Sequence, residues 1–348
     1  MSKTKAPKRV KGAGVALVTG ATSGIGRLLV SELLRMRYEV RVILRKRPSE
    51  HHEWKDLPAG ASIYAIDISE TGEGTRRALR DACRGVDVLF HLAAATRNYR
   101  ERYGNEKVNT NLMIATNVVG TESILQAYGD SNKGRNLQVI YASSVAVYGN
   151  RREGETLTEE SDPRPSSAYA ESKYMAEQVI KAFAAANRKM KYTVFRIGVV
   201  YGENYESSFM RIFRLIKERK LRFVGKGENH LTLINVKDVV DAMLRAMRSG
   251  KGSNNRTYNL TDGVAYTQKE LFQKAAKMLD AEAPTKGIHP LLARIGARAR
   301  GIDAEELYFL TSDRIVSIRR ISKELGFRPS VNIDVAGKRL AKEFLEQY

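Results

Sequence analysis

Apolar positions in this chain keep two different periods, and the two take turns. Short runs of buried-strand character are Val15-Ala-Leu-Val-Thr19, Val40-Arg-Val-Ile-Leu44, Ile63-Tyr-Ala-Ile66, Val86-Asp-Val-Leu-Phe-His91, Leu137 to Ala142 and Lys191-Tyr-Thr-Val-Phe-Arg196. Between them, apolar residues recur every three or four positions, the spacing of one helix face. Such stretches hold Ile25, Leu28, Leu29, Leu33 and Met36; then Thr75 to Arg84, which reads as solvent-facing; then Asn117-Val-Val-Gly-Thr121; then Met175, Val179, Ile180 and Phe183. Strand and helix in alternation predict an α/β fold with a doubly wound, mostly parallel sheet, whose ligands sit at the carboxyl ends of the strands. Beyond Tyr201 the alternation loosens. A helix starts at Asp238 (Val239, Val240, Met243, Leu244, Met247), Thr257 to Leu260 reads as a strand returning to the sheet, and Thr267 caps a helix running through Leu279.

The first run enters Gly20-Ala-Thr-Ser-Gly24-Ile-Gly26 and then a helix. Strand, glycine turn and helix in that order bring backbone and a helix N-terminus close enough to hold a pyrophosphate. Gly20, Ser23, Gly24, Ile25 and Gly26 are therefore candidate dinucleotide contacts. The second run ends where an NAD-selective site places a carboxylate on the ribose 2′-hydroxyl. Arg45, Lys46 and Arg47 stand there instead. Three cations suit a 2′-phosphate, so NADP is the expected cofactor, with NAD the alternative; a solvated basic loop is the plainer reading of the same residues.

Candidate chemistry centres on Tyr169-Ala-Glu-Ser-Lys173. Residues four apart share a helix face, which sets a phenol beside an ammonium. A Tyr titrates near 10 by itself, and a neighbouring cation favours the phenolate, drawing it towards proton transfer at neutral pH. Tyr103 and Lys107 repeat the spacing but follow no strand that ends in hydroxyls, and read as a surface pair. Tyr169 follows the turn Asp162-Pro-Arg-Pro-Ser-Ser167, and the strand before that turn delivers Ser143 and Ser144. His91, at a strand end, reads as structural. Arg97, Arg100 and Arg102 either meet an anionic substrate or face solvent.

Ser143-Ser144-x-x-Val-Tyr-Gly149 followed by Pro165-x-x-x-Tyr169-x-x-Ser-Lys173 resembles the extended short-chain dehydrogenase/reductase family, which includes the NAD-dependent epimerases and dehydratases. The resemblance runs from about Val15 to about Leu345. It implies a Rossmann fold, with Ser144, Tyr169 and Lys173 catalytic and Ser143 a neighbour able to substitute. It further implies that Asp67 and Ile68 contact adenine, that Leu92, Ala93 and Ala94 wall the ribose side, that Val199 lines the cofactor site, and that Asn117 maintains the hydrogen bonds of the site. Departures narrow the branch. Ser23 stands where extended members usually carry Gly, and its hydroxyl is read as a phosphate contact. Val145 and Ala146 occupy the Asp-Glu positions of sugar dehydratases. An Asn near Val199 is absent, and Leu231 replaces the Arg of Gly-x-Gly-x-x-x-Arg in Gly225 to Asp238. Both missing residues contact substrate phosphate in nucleotide-sugar enzymes.

The expected division is a basic tail over 1–12, a dinucleotide-binding domain over 13–200 to which 231–262 returns, and a smaller, mainly substrate-binding domain over 201–348. Ile288 to Ala299, basic and amphipathic (Leu291, Leu292, Ile295), reads as a lid or substrate-domain helix in preference to a membrane-surface segment. The leading expectation is an oxidoreductase moving a hydride between a nicotinamide and a carbonyl or secondary alcohol. A sugar epimerase using the same residues is the second, and a dinucleotide-binding scaffold without turnover the third. A homodimer is allowed by the resemblance.

Composition changes this picture little. A chain of 348 residues with 43% hydrophobic content supports a full core. Its one cysteine, Cys83, excludes an internal disulfide and suits a reducing, cytoplasmic setting. No apolar run approaches the ~20 residues of a membrane helix, the start does not read as a signal peptide, and no metal-ligand cluster is apparent. The formal charge of +20 raises nucleic-acid binding. Only Lys3, Lys5, Lys8, Arg9 and Lys11 form an uninterrupted run, however, and the other cations are mixed with acids. Attraction of anionic substrates or cofactors is the preferred reading, with no specific nucleic-acid site.

Overall fold

A computed structural model describes residues 14–45, 57–96, 106–149, 154–202, 208–289, 291–293, 295 and 313–347. Lys46, Arg47, Arg97, Arg100, Arg102, Tyr103, the side chain of Lys107 and residues 1–12 lie outside the described residues.

Seven strands make one sheet: β1 Val15–Thr19, β2 Glu39–Leu44, β3 Ser62–Ala65, β4 Val88–His91, β5 Leu137–Ser144, β6 Met190–Ile197 and β7 Arg256–Leu260, in the spatial order 7-6-5-4-1-2-3. All six pairings are parallel, giving a Rossmann-like α/β sheet whose strand order reverses direction at β1 and β4. Carboxyl ends of all seven strands share one rim, where ligands of such sheets bind.

Six of the ten described α-helices cover the two faces of this sheet, three on each. The ten are α1 Gly24–Arg35, α2 Glu73–Cys83, α3 Glu106–Met113, α4 Gly120–Ser131, α5 Ala168–Ala186, α6 Ser208–Lys217, α7 Val236–Arg248, α8 Gln268–Met278, α9 Arg319–Leu325 and α10 Ile333–Gln347. Side chains alternate across a strand, so Val18, Val42 and Phe90 face one way while Leu17, Ile43 and Leu89 face the other. The first set packs under α1, α7 and α9 through Leu29, Leu33, Val239, Met243 and Ile321. The second packs under α2, α4 and α5 through Leu79, Ile124, Tyr128, Ala176 and Ile180. Burial on both faces explains why these strands read as continuous apolar runs.

A further apolar cluster gathers Phe209 and Phe213 of α6, Leu271 and Phe272 of α8, and Leu340 and Phe344 of α10 with Leu231 and Leu233. Its strands are Val199–Tyr201, His230–Asn235 and Ala265–Thr267. Between 231 and 262, therefore, His230–Asn235 pairs outside the large sheet, whereas α7 packs on that sheet and β7 forms its edge. Thr267 and Glu270 form a reciprocal capping box that starts α8. Asp313 ties distant segments together, accepting from Gly154 N at 2.7 Å and His230 N at 2.6 Å, and lying 2.8 Å from His230 Nδ1.

Candidate active site

The glycine turn is held by its own atoms. Gly20 adopts φ +68°, and a Cβ there would stand 2.7 Å from Ala93 N; at Gly26 it would stand 2.3 Å from Gly20 O. Neither position accepts a side chain. Ser23 Oγ donates to Gly20 O at 2.8 Å and accepts from Gly26 N at 3.0 Å, capping α1. This hydroxyl helps to start the helix. What remains is a turn without side chains at Gly20, Gly24 and Gly26, and the positive end of α1 at the rim, a cradle that fits a pyrophosphate. Gly24 opens α1 and Ile25 follows it. Arg45 follows the last residue of β2.

Across the rim, Leu92 N and Ala93 N donate to Thr19 Oγ1 at 3.1 and 3.0 Å. With its lone pairs occupied, the Thr19 hydroxyl has His91 Nδ1, at 2.8 Å, as the acceptor for its proton. On the other side of the ring, Thr121 Oγ1 donates to Asn117 O at 2.6 Å, so it receives the proton on His91 Nε2 at 2.8 Å. The network therefore assigns a neutral ring protonated on Nε2. Burial, with Lys173 nearby, pulls the pKa of His91 down to about 3. The structural reading of His91 matches this geometry.

Asn117 lies in a π-helical segment, Ile114–Val119, between α3 and α4, a distortion often found at functional sites. Its Oδ1 accepts from Ala95 N at 2.7 Å, while Nδ2 donates to Ala95 O at 3.1 Å and to Ser172 Oγ at 2.9 Å. Ser172 in turn donates to Tyr169 O at 2.8 Å. Asn117 thus fastens the segment beyond Leu92, Ala93 and Ala94 to the first turn of α5. Asp67, following β3 and Ile66, accepts from Ser69 N and Ser69 Oγ. Ile68 is buried beneath Gly120, where an added Cβ would meet it at 3.0 Å.

The two serines at the end of β5 differ in their engagements. Ser143 Oγ donates to Glu177 Oε1 at 2.6 Å in a buried contact, so its proton is committed and it is a poor substitute for its neighbour. Ser144 Oγ accepts from Ala146 N at 3.1 Å, capping a 3-10 turn over Val145–Tyr148. Accepting leaves its proton available to another oxygen.

Ser167 caps α5, and Tyr169, half-buried, stands on the first turn. Lys173 is 2% exposed and forms no salt bridge among the described residues; its Nζ lies 4.3 Å from the centroid of the Tyr141 ring. Burial draws its pKa down to about 7, opposed by Glu177. Tyr141 stacks on His91 with centroids 5.5 Å apart, and burial raises its own pKa far up, with Tyr169 and Glu177 adding to the effect. The structure accordingly brings Ser144, the first turns of α5, Asn117, Leu92 to Ala94 and the glycine turn to one rim. Val199 lies on the neighbouring strand Val199–Tyr201. Sequence reasoning missed Tyr141 and Glu177 as partners of the site; Glu177, four positions past Lys173, carried a signal in its spacing alone.

The sequence profile of the family described as "NAD dependent epimerase/dehydratase family" matches residues 16–261. The chain is 28% identical over 333 residues to the 4-hydroxy-2-methyl-3-oxo-4-farnesyl-3,4-dihydroquinoline-1-oxide ketoreductase of Stigmatella aurantiaca, covering 93% of this chain and 90% of that protein. It is 25% identical over 335 residues to a UDP-glucose 4-epimerase of Streptomyces lividans, covering 91% and 92% respectively. Among solved structures, the UDP-glucuronic acid 4-epimerase from Bacillus cereus in complex with NAD superposes with a TM-score of 0.74 at 19% identity, over 96% of this chain and 99% of that one.

Proposed function

The chain belongs to the NAD dependent epimerase/dehydratase family and is an enzyme, and we propose that it is an oxidoreductase acting on a carbonyl or secondary alcohol, with Ser144, Tyr169 and Lys173 as its reacting groups. The observation that carries this reading is Lys173. An ammonium 2% exposed and without a salt bridge among the described residues costs stability, and an apolar residue of similar length would fill the space at no such cost. Its retention there, one turn from a phenol and beside the carboxyl end of β5, fits a working cation. A bound nicotinamide dinucleotide supplies the hydride donor or acceptor for such a reaction.

In this reading the Tyr169 hydroxyl gives a proton to the reacting oxygen or takes one from it. Lys173 favours the phenolate by its charge and holds the nicotinamide-side ribose. Ser144 donates its remaining proton to the substrate oxygen and fixes its direction. Gly20, Gly24 and Gly26 with the start of α1 hold the pyrophosphate, with Ser23 and Ile25 beside them. Asp67 and Ile68 flank adenine, Leu92, Ala93 and Ala94 flank the ribose, and Val199 and Asn117 complete the wall. Replacing Tyr169 with Phe should lower turnover by about 10²- to 10⁴-fold, with cofactor affinity retained. Turnover close to that of the unaltered enzyme would overturn the mechanism.

Two finer choices follow. Arg45, with Lys46 and Arg47 next to it in sequence, favours NADP over NAD; comparable affinities in parallel titrations would refute the preference. For the substrate, Val145 and Ala146 disfavour dehydration, and Leu231, 2% exposed within an apolar cluster, offers nothing to a phosphate. A substrate without a nucleotide is therefore preferred. The likeness to epimerases supports a second reading, in which the same residues invert a sugar carbon. Isomerised sugar with no net change in added nicotinamide would favour that reading; net oxidation or reduction favours the first.

A further inference from the structure

Behind Lys173 lies an ion pair that the proposed reaction does not use. Glu177, one turn further along α5, is 0% exposed. It takes Arg196 of β6 by two bonds, Nε to Oε1 at 3.1 Å and Nη2 to Oε2 at 2.8 Å, and accepts from Ser143 Oγ at 2.6 Å. Ser143 and Arg196 face each other in the β5–β6 register. The carboxylate therefore pins α5 to two strand ends at once, next to Ser144. Lys181 Nζ also lies 4.0 Å from its Oε2. Three cations thus surround one anion: Lys173, Lys181 and Arg196 about Glu177.

That imbalance gives the anion a task. Burial by itself works against the charge of Lys173, and Glu177 is the group that opposes it. Arg196 cannot lose its own charge, because the paired carboxylate more than offsets its burial and raises its pKa. The titratable groups facing Lys173 are Tyr141 from β5, His91 from β4, and Tyr169 and Glu177 from its own helix, with Arg196 of β6 behind them. His91 is neutral and Tyr141 is protonated. Among these groups Glu177 is the one carboxylate, and its effect is to raise the pKa of Lys173.

We propose that Glu177 is a positioning residue of the active site, whose carboxylate, clamped by Arg196 and Ser143, keeps the Lys173 ammonium charged and holds the first turns of α5 in register with Ser144. The proposal rests on the role given above to Tyr169 and Lys173, but its test does not. In the full-length, cofactor-free chain, the pH dependence of Lys173 acetylation by trace acetic anhydride, followed by peptide mass spectrometry, reports the protonation of that amine. The midpoint should lie near 7 in the unaltered chain. Glu177→Gln keeps the shape and removes the charge, and should lower the midpoint by about one unit or more, a tenfold change in the proton affinity of Lys173. Glu177→Asp should restore most of it. Because Glu177→Gln leaves the Arg196 charge buried and unpaired, the double variant Glu177→Gln/Arg196→Met provides a neutral counterpart. It should also show a lowered midpoint, with no unpaired buried cation left to disturb the fold.

A midpoint unmoved in a folded Glu177→Gln chain overturns the proposal. So does the failure of both variants to fold, which would assign Glu177 to the fold alone. If the midpoint falls while Tyr169→Phe retains full turnover, the link between Glu177 and Lys173 stands and the oxidoreductase mechanism fails instead.

Discussion

Ser143 and Ser144 are adjacent in sequence and identical in chemistry, yet their environments give them different work. One hydroxyl spends its proton on a buried carboxylate at 2.6 Å; the other only accepts, from Ala146 N. Ser144→Ala should therefore depress kcat by about a hundredfold or more, with a stability loss near the ~1 kcal/mol of a lost cap. Ser143→Ala should reverse the balance, costing about 1–2 kcal/mol through the partly unsatisfied Glu177 while leaving turnover within about tenfold. Denaturant unfolding and steady-state kinetics on the two variants separate the cases. Equal effects on kcat would show that the two hydroxyls share the role.

At the scale of elements, α7 illustrates a join made by one side chain. Asp238, 1% exposed, accepts from Ser330 N at 3.0 Å, Ser330 Oγ at 2.7 Å and Val331 N at 3.2 Å. It fastens the first turn of α7 to the segment leading into α10, and so joins the large sheet to the apolar cluster of α6, α8 and α10. Asp238→Ala should lower stability by about 3 kcal/mol, seen as a lower denaturant midpoint with little change in slope. Much of this architecture was legible beforehand. The glycine turn, the strand runs and the Thr267 cap are local, so short windows of sequence contain their whole cause. The joins are not local. Asp238 meets residues 92 and 93 positions away, and His91 meets Thr19 and Thr121 at 72 and 30. No window holds both partners. On α5 the apolar pattern held for Val179, Ile180 and Phe183 but not throughout. Met175, counted in the apolar periodicity, is 39% exposed, while Lys173 and Glu177 turn into the interior, because their partners on β5 and β6 outweigh hydrophobicity there. Ile288 to Ala299 is described only in part, and there Leu291, Leu292 and Ile295 are exposed. No described helix is long and apolar enough to cross a membrane.

For the molecule as a whole, buried bases set the response to pH. His91 has a folded pKa of about 3 against 6.5 for the free group, and Lys173 about 7 against 10.5. Within each window the unfolded chain holds a proton that the folded chain does not, so stability rises with pH there. Asp313 acts in the same sense at the acid end. Although burial opposes its charge, bonds from His230 and Gly154 lower its pKa, and their contribution is lost as pH falls through that lowered value. A formal charge of +20 adds repulsion that also eases as pH rises. The rise ends near pH 10, where phenols such as Tyr128, kept protonated by burial, ionise in the unfolded chain. The cofactor-free protein should therefore show a higher Tm at pH 9 than at pH 7, and a lower one at pH 5. Lys173→Met should raise Tm at pH 7, flatten the step between pH 7 and 9, and abolish turnover. A variant as pH-sensitive as the parent would place the cause elsewhere.

The threonine–histidine–threonine relay under the rim has every hydrogen pointing the same way, from the amides of Leu92 and Ala93 down to the carbonyl of Asn117. Such a relay is an insulator. To conduct, it would have to load a proton on an imidazole that resists one until strongly acid pH and then turn each hydroxyl around. In the proposed mechanism, a proton exchanged at the Tyr169 oxygen therefore finds no route through His91.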